Sequence, residues 1–340
     1  MKKKKKEKIS NRLYTFVGEE WKFILTCILI TFILLYPADY MITTGGGIID
    51  IDNRVEIEDS YKSKGSLNIS FVSQLKGNIL TYGLSYIIPN WEREPYSDYL
   101  IDDLDTIKDM EFRDKLDLKR SVNNATYWGF TLADEPLELK STKLYVVYKM
   151  KDLPNKFKVG DEIISIDDEA FNSREELKEK IKSYNEGDTV EVRVINNKKE
   201  RTFKTKIYKK DGEKLLGIYL EILKEYKTEK EIKFKFKRNE SGPSAGLMTT
   251  LDIYNKLTKK DLTKGKKIAG TGTIEEDGTI GEIGGVDNKV IGAASNKADI
   301  FLVPEKNYKE CIKTVKKNKL KIKVIKVRNI EEAIEKLKDQ

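Results

Sequence analysis

The stretch IAGTGTIEEDGTIGEIGGVDNKVIGAASNKADIFLVP, from Ile268 to Pro304, sets the architecture of the carboxyl-terminal part of the chain. Its first residues read as a strand, and an Asp-Gly turn follows. A helix is predicted from about Val286 to Ala294. The closing segment ADIFLVP is a continuous apolar run, which is typical of a strand buried on both faces. The pattern therefore predicts strand, turn, helix and buried strand.

Lys289 lies on that predicted helix, flanked by Val286, Val290 and Ile291. An amine in apolar surroundings loses solvation, which lowers its pKa and lets it act as a base. The alternative is a solvated surface lysine, because the chain holds 64 lysine and arginine residues. Periodicity alone leaves both interpretations open.

A second informative stretch, NESGPSAGLM, runs from Asn239 to Met248 and contains Ser244. Leu247, Leu251 and Tyr254 follow at helical spacing, so Ser244 is predicted at or just before a helix start. Serine is a preferred helix cap, which is the structural alternative to a nucleophile. The chain contains no histidine, so a lysine is the remaining candidate base for this serine.

The helix start at Ser244 also suits a negatively charged intermediate. Unpaired backbone N–H groups and the positive end of the helix dipole meet there, and such donors can stabilise an oxyanion. Gly242 and Gly246 are expected to remove side chains that would crowd a substrate backbone.

The two stretches together resemble the proteolytic domain of the Lon family (S16). GPSAG is followed in order by GTGTIEEDGTIGEIGGVDNK, and the resemblance covers about residues 215–335. It implies that Ser244 is the nucleophile, that Lys289 is the catalytic lysine, and that Thr271 helps to orient the lysine. Lys289 follows Ser244 by 45 residues.

Two features depart from the family pattern. Many Lon proteases carry an aspartate three residues before the serine, where this chain has Ser241 with Glu240 adjacent. Whether Glu240 takes that role is left open. No G-x-x-x-x-G-K-[ST] motif is present, so no phosphate-cradling loop is expected and proteolysis is predicted to be independent of ATP.

The stretch from KLYVVYKM to TFKTKIY reads as strand, loop, strand, helix and strand. A helix is predicted after the capping residue Ser173, with Leu177 and Ile181 on its apolar face. The order resembles a PDZ domain of the bacterial type, which implies binding of an extended peptide by strand addition. The resemblance puts the carboxylate-binding loop near residues 153–159. A folded spacer without a ligand is the alternative.

The amino-terminal segment WKFILTCILITFILLYP, Trp21 to Pro37, carries no charge from Phe23 to Tyr36. Trp21 and Tyr36 suit the two interfaces of a bilayer, and the preceding lysine run favours a cytoplasmic amino end. We therefore expect an uncleaved membrane anchor with the rest of the chain outside the cell membrane. The alternatives are a cleaved signal peptide or a buried helix. A second apolar run, Ile79 to Pro89, is too short to span and is expected to pack in the soluble part.

The expected fold class is an α+β multidomain protein with a single N-terminal transmembrane helix, a PDZ-like domain and a C-terminal Lon-type proteolytic domain. The predicted ranges are a basic tail 1–20, a transmembrane helix 21–37, an N-terminal region 38–127, a PDZ-like domain 128–210 and a proteolytic domain 215–338. The combination resembles the membrane-anchored YlbL/SepM type of Lon-family peptidase.

The expected function is a membrane-anchored serine endopeptidase with a Ser-Lys dyad that cleaves extracytoplasmic peptides or unfolded segments. The alternative is a non-catalytic PDZ scaffold with a Lon-like domain. No cofactor, metal or nucleic-acid partner is expected, since no ligand cluster or nucleic-acid motif accompanies the net charge of +8. A homo-oligomer is left open.

Overall fold

The computed structural model describes residue 18 and residues 20–340. The basic tail predicted for residues 1–20 lies almost wholly outside these residues. The chain divides into two compact units, one containing residues up to Thr44 together with Ser73–Asp98, and the other containing Gly45–Val72 and Tyr99–Gln340. Strands β1 (Pro37–Asp50) and β3 (Ser66–Asn78) contribute residues to both units.

The first unit holds helix α1, over residues 20–34, and a small strand pair. Strand β1 pairs antiparallel with β4 (Glu92–Pro95), with Tyr40 opposite Pro95. The short helix α2 (Ile79–Leu84) follows β3, and its first turn is closed by a reciprocal capping box between Asn78 and Thr81.

Helix α1 is apolar and exposes its side chains on all sides; Phe23 is 67% and Phe32 is 66% exposed. The helix ends before Pro37, which opens β1, so the predicted span 21–37 extends past the helical residues. Across residues 18 and 20–340, no helix combines the length and the hydropathy that crossing a membrane requires.

The prediction that the run from Ile79 to Pro89 packs in the soluble part is wrong for several of its side chains. Ile79 is 43%, Tyr86 is 62% and Ile87 is 77% exposed. Apolar character predicts removal from water, but it does not say whether protein or another apolar medium supplies the cover.

The second unit is built on a parallel sheet. Its strand order is β15-β14-β13-β3-β1, and the four strands β3, β13, β14 and β15 run parallel to one another. The predicted buried strand is confirmed, because all five residues of β14 are buried. The strands of this part of the chain, besides β1 and β3, are β2 (Val55–Ile57), β12 (Ile232–Phe234), β13 (Lys267–Gly270), β14 (Ile300–Pro304) and β15 (Lys323–Val327).

Helices cover both faces of this sheet, which explains why its central strand β14 is apolar and buried throughout. Residues of one face, such as Ile268 and Leu302, share a core with α3, α5 and α8, and residues of the other, such as Phe301 and Val303, share a core with α6 and α7. The helices are α3 (Ile107–Leu132), α5 (Gly246–Leu257), α6 (Val286–Ser295), α7 (Tyr308–Lys317) and α8 (Ile330–Lys338).

A five-stranded antiparallel sheet occupies the middle of the second unit, in the order β11-β5-β6-β7-β8. Helix α4 (Arg174–Ser183) begins at Ser173, whose side chain accepts from the Glu176 amide, so the predicted cap is confirmed. The strands are β5 (Leu137–Lys149), β6 (Glu162–Ile166), β7 (Thr189–Asn196), β8 (Lys199–Lys206) and β11 (Ile218–Thr228), with the small hairpin β9 (Tyr208–Lys210) and β10 (Glu213–Leu215) before β11.

The fold is thus a mixed α/β protein in which the antiparallel domain lies in sequence between two parts of the parallel-sheet domain. Strand β2 pairs with β12, and β3 pairs with β13, although about 175 residues separate the first two strands along the chain and about 200 the second two. Residues 45–72 therefore complete the sheet that carries the carboxyl-terminal strands.

Candidate active site

Ser244 lies immediately before helix α5, where Ala245 is the N-cap residue. This confirms the predicted helix start. The carbonyl of Ser244 accepts from the amide of Gly272 at 2.9 Å, and the amide of Leu247 donates to the carbonyl of Gly272 at 3.0 Å. The serine loop is therefore joined by main-chain hydrogen bonds to the segment that follows β13. The strand of this segment ends at Gly270, where the chain leaves the sheet to meet the serine loop.

Lys289 lies on α6 and is only 4% exposed. Its Nζ donates to Thr271 Oγ1 at 3.3 Å, and Thr271 Oγ1 in turn donates to the carbonyl of Ser244 at 3.3 Å. Thr271 is fully buried directly after β13. The structure thus brings all three predicted residues, Ser244, Thr271 and Lys289, into one hydrogen-bonded cluster. Within residues 18 and 20–340, no hydrogen bond joins Lys289 Nζ directly to Ser244 Oγ.

The electrostatics of Lys289 are set by burial. In the described part of the chain no carboxylate forms an ion pair with it, and desolvation lowers the pKa of its amine from 10.5 to about 8. A buried amine without a counter-charge is stabilised in the neutral form, which is the form that can accept a proton. The solvated-surface alternative for this lysine is thereby excluded.

The amides around Ser244 are unequal as oxyanion donors. Those of Gly246 and Leu247 already donate, to the carbonyls of Pro243 at 3.1 Å and Gly272 at 3.0 Å. Among the described residues, the amides of Ser244 and Ala245 have no backbone or side-chain acceptor. Of the amides predicted at the helix start, those of Ser244 and Ala245 are therefore the two that can donate to an oxyanion.

Packing and backbone conformation, and not space for a substrate, explain the two glycines on either side of Ser244. A Cβ on Gly246 would lie 2.6 Å from both Ser121 Oγ and Ile274 Cγ2, so this position needs glycine for packing. Gly242 has φ of +84° with open space around it, so its conformation is what favours glycine. The expectation that Gly246 leaves room for a substrate is wrong.

Glu240 is committed to an ion pair away from Lys289. Its carboxylate accepts from Arg54 Nε at 2.9 Å and from the amide of Lys237 at 3.0 Å. Burial raises the pKa of Glu240, but the hydrogen bonds from Arg54 and the Lys237 amide, together with the nearby positive charges, outweigh burial and hold the pKa below its usual range. Arg54 is 8% exposed. The pair thus fixes the chain four residues before Ser244.

Three residues that support the site were missed by sequence reasoning. Ser121 Oγ, on α3, donates to the carbonyl of Pro243 at 2.9 Å, and Ser70 Oγ, on β3, donates to the carbonyl of Lys289 at 2.8 Å. Arg54 is the third. They lie 120 or more residues from the groups they hold, and no local pattern marks them.

The antiparallel domain offers a second candidate site along β11. This strand is at one end of its sheet, with β5 as its single neighbour among the described strands. Ile218, Leu220 and Ile222 alternate along β11 and pack against the core that contains Leu177 and Ile181 of α4.

Helix α4 contacts the start of β11 and the short strand β10 that precedes it. Arg174 Nη2, at its start, donates to the carbonyl of Leu220 at 2.6 Å. Lys214 Nζ donates to the carbonyl of Lys182 at 2.9 Å near its end. Since the Leu220 carbonyl points away from β5, the strand presents an outward hydrogen-bonding edge beside the helix.

The loop predicted to bind a carboxylate, near residues 153–159, has a different environment. Asn155 Nδ2 donates to the carbonyl of Gly217 at 3.1 Å, so the loop supports the residue before β11. A cavity of about 170 Å³ beside it is lined by Asp105 and Asp109 among others.

Comparison with known protein families identifies both domains. Residues 129–207 match the PDZ domain model, and residues 237–339 match the model of the Lon protease (S16) C-terminal proteolytic domain. The chain thus carries a PDZ domain and a Lon-type proteolytic domain, which confirms the resemblance.

Among curated proteins, the chain is 33% identical over 97 residues to a Lon protease of Desulfatibacillum aliphaticivorans, covering 28% of this chain and 12% of the relative. It is 32% identical over 91 residues to a Lon protease of Aster yellows witches'-broom phytoplasma (strain AYWB), covering 27% of this chain and 11% of the relative. The matches therefore span about an eighth of the length of these relatives.

Among solved structures, the chain is similar to the PDZ domain of an SdrC-like protein of Listeria monocytogenes, at 33% identity and a TM-score of 0.21, covering 23% of this chain and 85% of that one. A PDZ domain of the SdrC-like protein of Listeria innocua is 29% identical with a TM-score of 0.22, covering 23% and 92% of the two chains.

Proposed function

We propose that this protein is a membrane-anchored, ATP-independent serine endopeptidase that uses a Ser-Lys dyad on extracytoplasmic peptides or unfolded segments. The observation that carries the proposal is the environment of Lys289, a buried amine without a counter-charge that is linked through Thr271 to the loop of Ser244. A remnant domain kept only as a scaffold has no need of a buried, unpaired lysine, which destabilises the fold.

The chemistry assigns one role to each group. Ser244 Oγ attacks the peptide carbonyl while neutral Lys289 accepts the hydroxyl proton. The amides of Ser244 and Ala245 donate to the oxyanion. The Lys289 ammonium then protonates the leaving amine, and water releases the acyl group in a second round of the same proton transfers. Thr271 holds the lysine amine.

An active-site-directed fluorophosphonate tests the nucleophile. The parent should be labelled on Ser244, and Ser244→Ala and Lys289→Met should not be labelled. Ser241→Ala is the matched control, since this exposed serine lies three residues away, and it should label like the parent. Labelling of Ser244→Ala at the parental rate, or loss of labelling in the Ser241 control, would contradict the assignment.

The membrane anchor is part of the proposal and rests on α1. The helix exposes apolar side chains on every face, and a helix of that kind is stable in lipid but not in water. The lysine run before it favours a cytoplasmic amino end and an extracytoplasmic catalytic domain. Protease added to wall-stripped cells should degrade the region after about residue 40, and full protection of that region would refute the orientation.

The PDZ domain is proposed to hold substrate by strand addition to the outward edge of β11, beside α4. Hydrogen exchange of the Ser244→Ala variant, with and without an apolar peptide, tests this. Added peptide should protect amides in residues 215–223 and leave residues 153–159 unchanged. An amidated peptide is the matched control for a terminal carboxylate. Protection confined to residues 153–159, or none in the PDZ domain, would contradict the placement.

A further inference from the structure

The segment of residues 75–91, here called the α2 segment, is unusual for a water-facing part of a protein. From Gly77 to Trp91 it contains no charged residue. Beyond residue 36 the described chain exposes ten large apolar side chains, and five of them lie in the α2 segment: Leu75, Ile79, Leu80, Tyr86 and Ile87. Concentrated exposure of this kind marks an interaction surface.

The α2 segment is attached to the end of α1 within the first unit. The amide of Ile79 donates to the carbonyl of Tyr36 at 3.1 Å. The rings of Tyr40 and Tyr82 lie 4.7 Å apart between centroids. The uncharged segment is therefore held beside the residue where the uncharged run of α1 ends.

Its polar groups suit the boundary between hydrocarbon and lipid headgroups. The hydroxyls of Tyr82 and Tyr86 lie 3.1 Å apart, so each ring has an apolar body and a hydrogen-bonded tip. The Arg93 guanidinium lies 3.7 Å from the centroid of the Tyr86 ring, where it can also meet a lipid phosphate. Tyrosine, tryptophan and arginine are the residues that favour this boundary.

We propose that the α2 segment lies in the lipid interface of the same membrane leaflet that α1 leaves, as a second, non-spanning contact with the bilayer. This inference rests on the proposed anchor. The occupant is lipid because the segment continues the exposed apolar surface of α1 and carries interfacial aromatic residues. At six residues α2 is too short to span, so it lies on the surface.

Fluorescence of single labels in the full-length protein, reconstituted into phosphatidylcholine–phosphatidylglycerol vesicles, tests the placement. The background carries Cys27→Ser, and Cys311 is buried and does not label. An environment-sensitive dye is attached at Ile87→Cys. A dye at Leu29→Cys reports on α1, and a dye at Leu139→Cys, an exposed position of β5, is the matched control.

Lipids with nitroxides in the headgroup or shallow acyl region should quench the Ile87 dye and shift its emission to the blue. Leu29 should be quenched by deep nitroxides, and Leu139 should be unaffected. Quenching at Leu29 without quenching at Ile87 would overturn the inference and leave the anchor standing. Quenching at Ile87 alone would support the segment as an interfacial contact and overturn the anchor.

Two further outcomes also overturn the inference. Absence of quenching at both positions would overturn the inference and the anchor together. A dye at Ile87 that is shielded from water but not quenched by any lipid nitroxide would show a protein occupant, such as a second copy of the chain. Leu80→Cys repeats the measurement at an independent position of α2.

Discussion

Replacing the buried lysine should make the protein inactive and more stable at neutral pH. Lys289 has a pKa of about 8 in the fold against 10.5 in an unfolded chain, and burial is the cause. At ~1.4 kcal/mol per pH unit, this difference corresponds to about 3 kcal/mol. Lys289→Met keeps roughly the length of the side chain and removes the amine. On folding, this amine must either give up its proton or be buried as a charged group without water.

The sign follows from proton binding. Between about pH 8 and 10.5 the unfolded chain binds the proton that the folded lysine has released, so the stability of the parent rises with pH across that window. Below about pH 8 both states carry the proton and the full cost of burial is present. The Lys289→Met variant lacks this dependence. Its advantage should therefore be largest at pH 7 and should shrink towards zero as the pH approaches 10.5.

The measurement is unfolding by urea, followed by tryptophan fluorescence, of the parent and Lys289→Met as full chains in the same detergent at pH 7, 8.5 and 10. Lys267→Met, a substitution of a less buried lysine at the start of β13, is the matched control and should show no such trend. The reasoning is refuted if Lys289→Met is no more stable than the parent at pH 7, or if its advantage is the same at all three pH values.

Three further predictions concern Lys289, the pair of Arg54 and Glu240, and Lys256 and Asp252, which form a buried ion pair on α5. With a Lys289 pKa of about 8, the neutral fraction of its amine rises from about a tenth at pH 7 to about nine-tenths at pH 9, so the rate of peptide hydrolysis should rise about ten-fold over this range. Lys289→Arg should be inactive at every pH, and turnover by this variant would show that another group is the base. Arg54→Met should lower kcat by about 10- to 100-fold with little change in KM for a short peptide, because the serine loop loses the ion pair between Arg54 and Glu240 that holds it. The exchanged pair Arg54→Glu with Glu240→Arg should recover part of the loss. A normal kcat in Arg54→Met would contradict this role of the ion pair. Lys256→Met should destabilise the fold by about 1–2 kcal/mol at pH 8. Burial raises the pKa of Asp252 to about 7, so loss of the ammonium 2.9 Å away makes this carboxyl take up a proton at pH 8, at ~1.4 kcal/mol per pH unit. Adding Asp252→Asn should restore most of the loss, and equal instability of the single and double variants would exclude this cause.

The sequence predicted those elements whose local pattern and final environment agree. Ile300–Pro304 is apolar without interruption and is buried on both faces. Ser173 has a capping side chain followed by an amphipathic turn, and it caps α4. The serine and lysine motifs likewise predicted the residues that the structure brings together, because each motif is continuous in sequence.

The parts that sequence reasoning missed depend on residues far apart along the chain. Nothing near Arg54 indicates Glu240 as its partner, and nothing near Ser70 indicates α6. The pairing of β3 with β13 joins residues about 200 positions apart. Such contacts are fixed by tertiary packing after loop closure, and their energies leave no periodic trace in either segment.

The edge position of β11 was missed for a related reason. Its alternation of apolar and charged residues is that of any half-buried strand, and the sequence does not say which strand lacks a second neighbour. The exposed α2 segment shows the same limit, since its composition is equally that of a packed turn. In both cases the deciding feature is the surface that the folded chain leaves exposed: the unpaired edge of β11 and the apolar side chains of the α2 segment.

Helix α3 connects the two candidate sites through neighbouring residues. Arg120 Nη1 donates to Glu221 of β11 at 2.7 Å, and the next residue, Ser121, donates to the carbonyl of Pro243 beside Ser244 at 2.9 Å. A peptide that pairs with β11 adds main-chain hydrogen bonds to a strand whose partner helix also holds the serine loop. Both contacts are made by consecutive residues of one helix of 26 residues, Ile107–Leu132. The backbone of α3 therefore lies between the strand that we propose to hold substrate and the loop that carries Ser244.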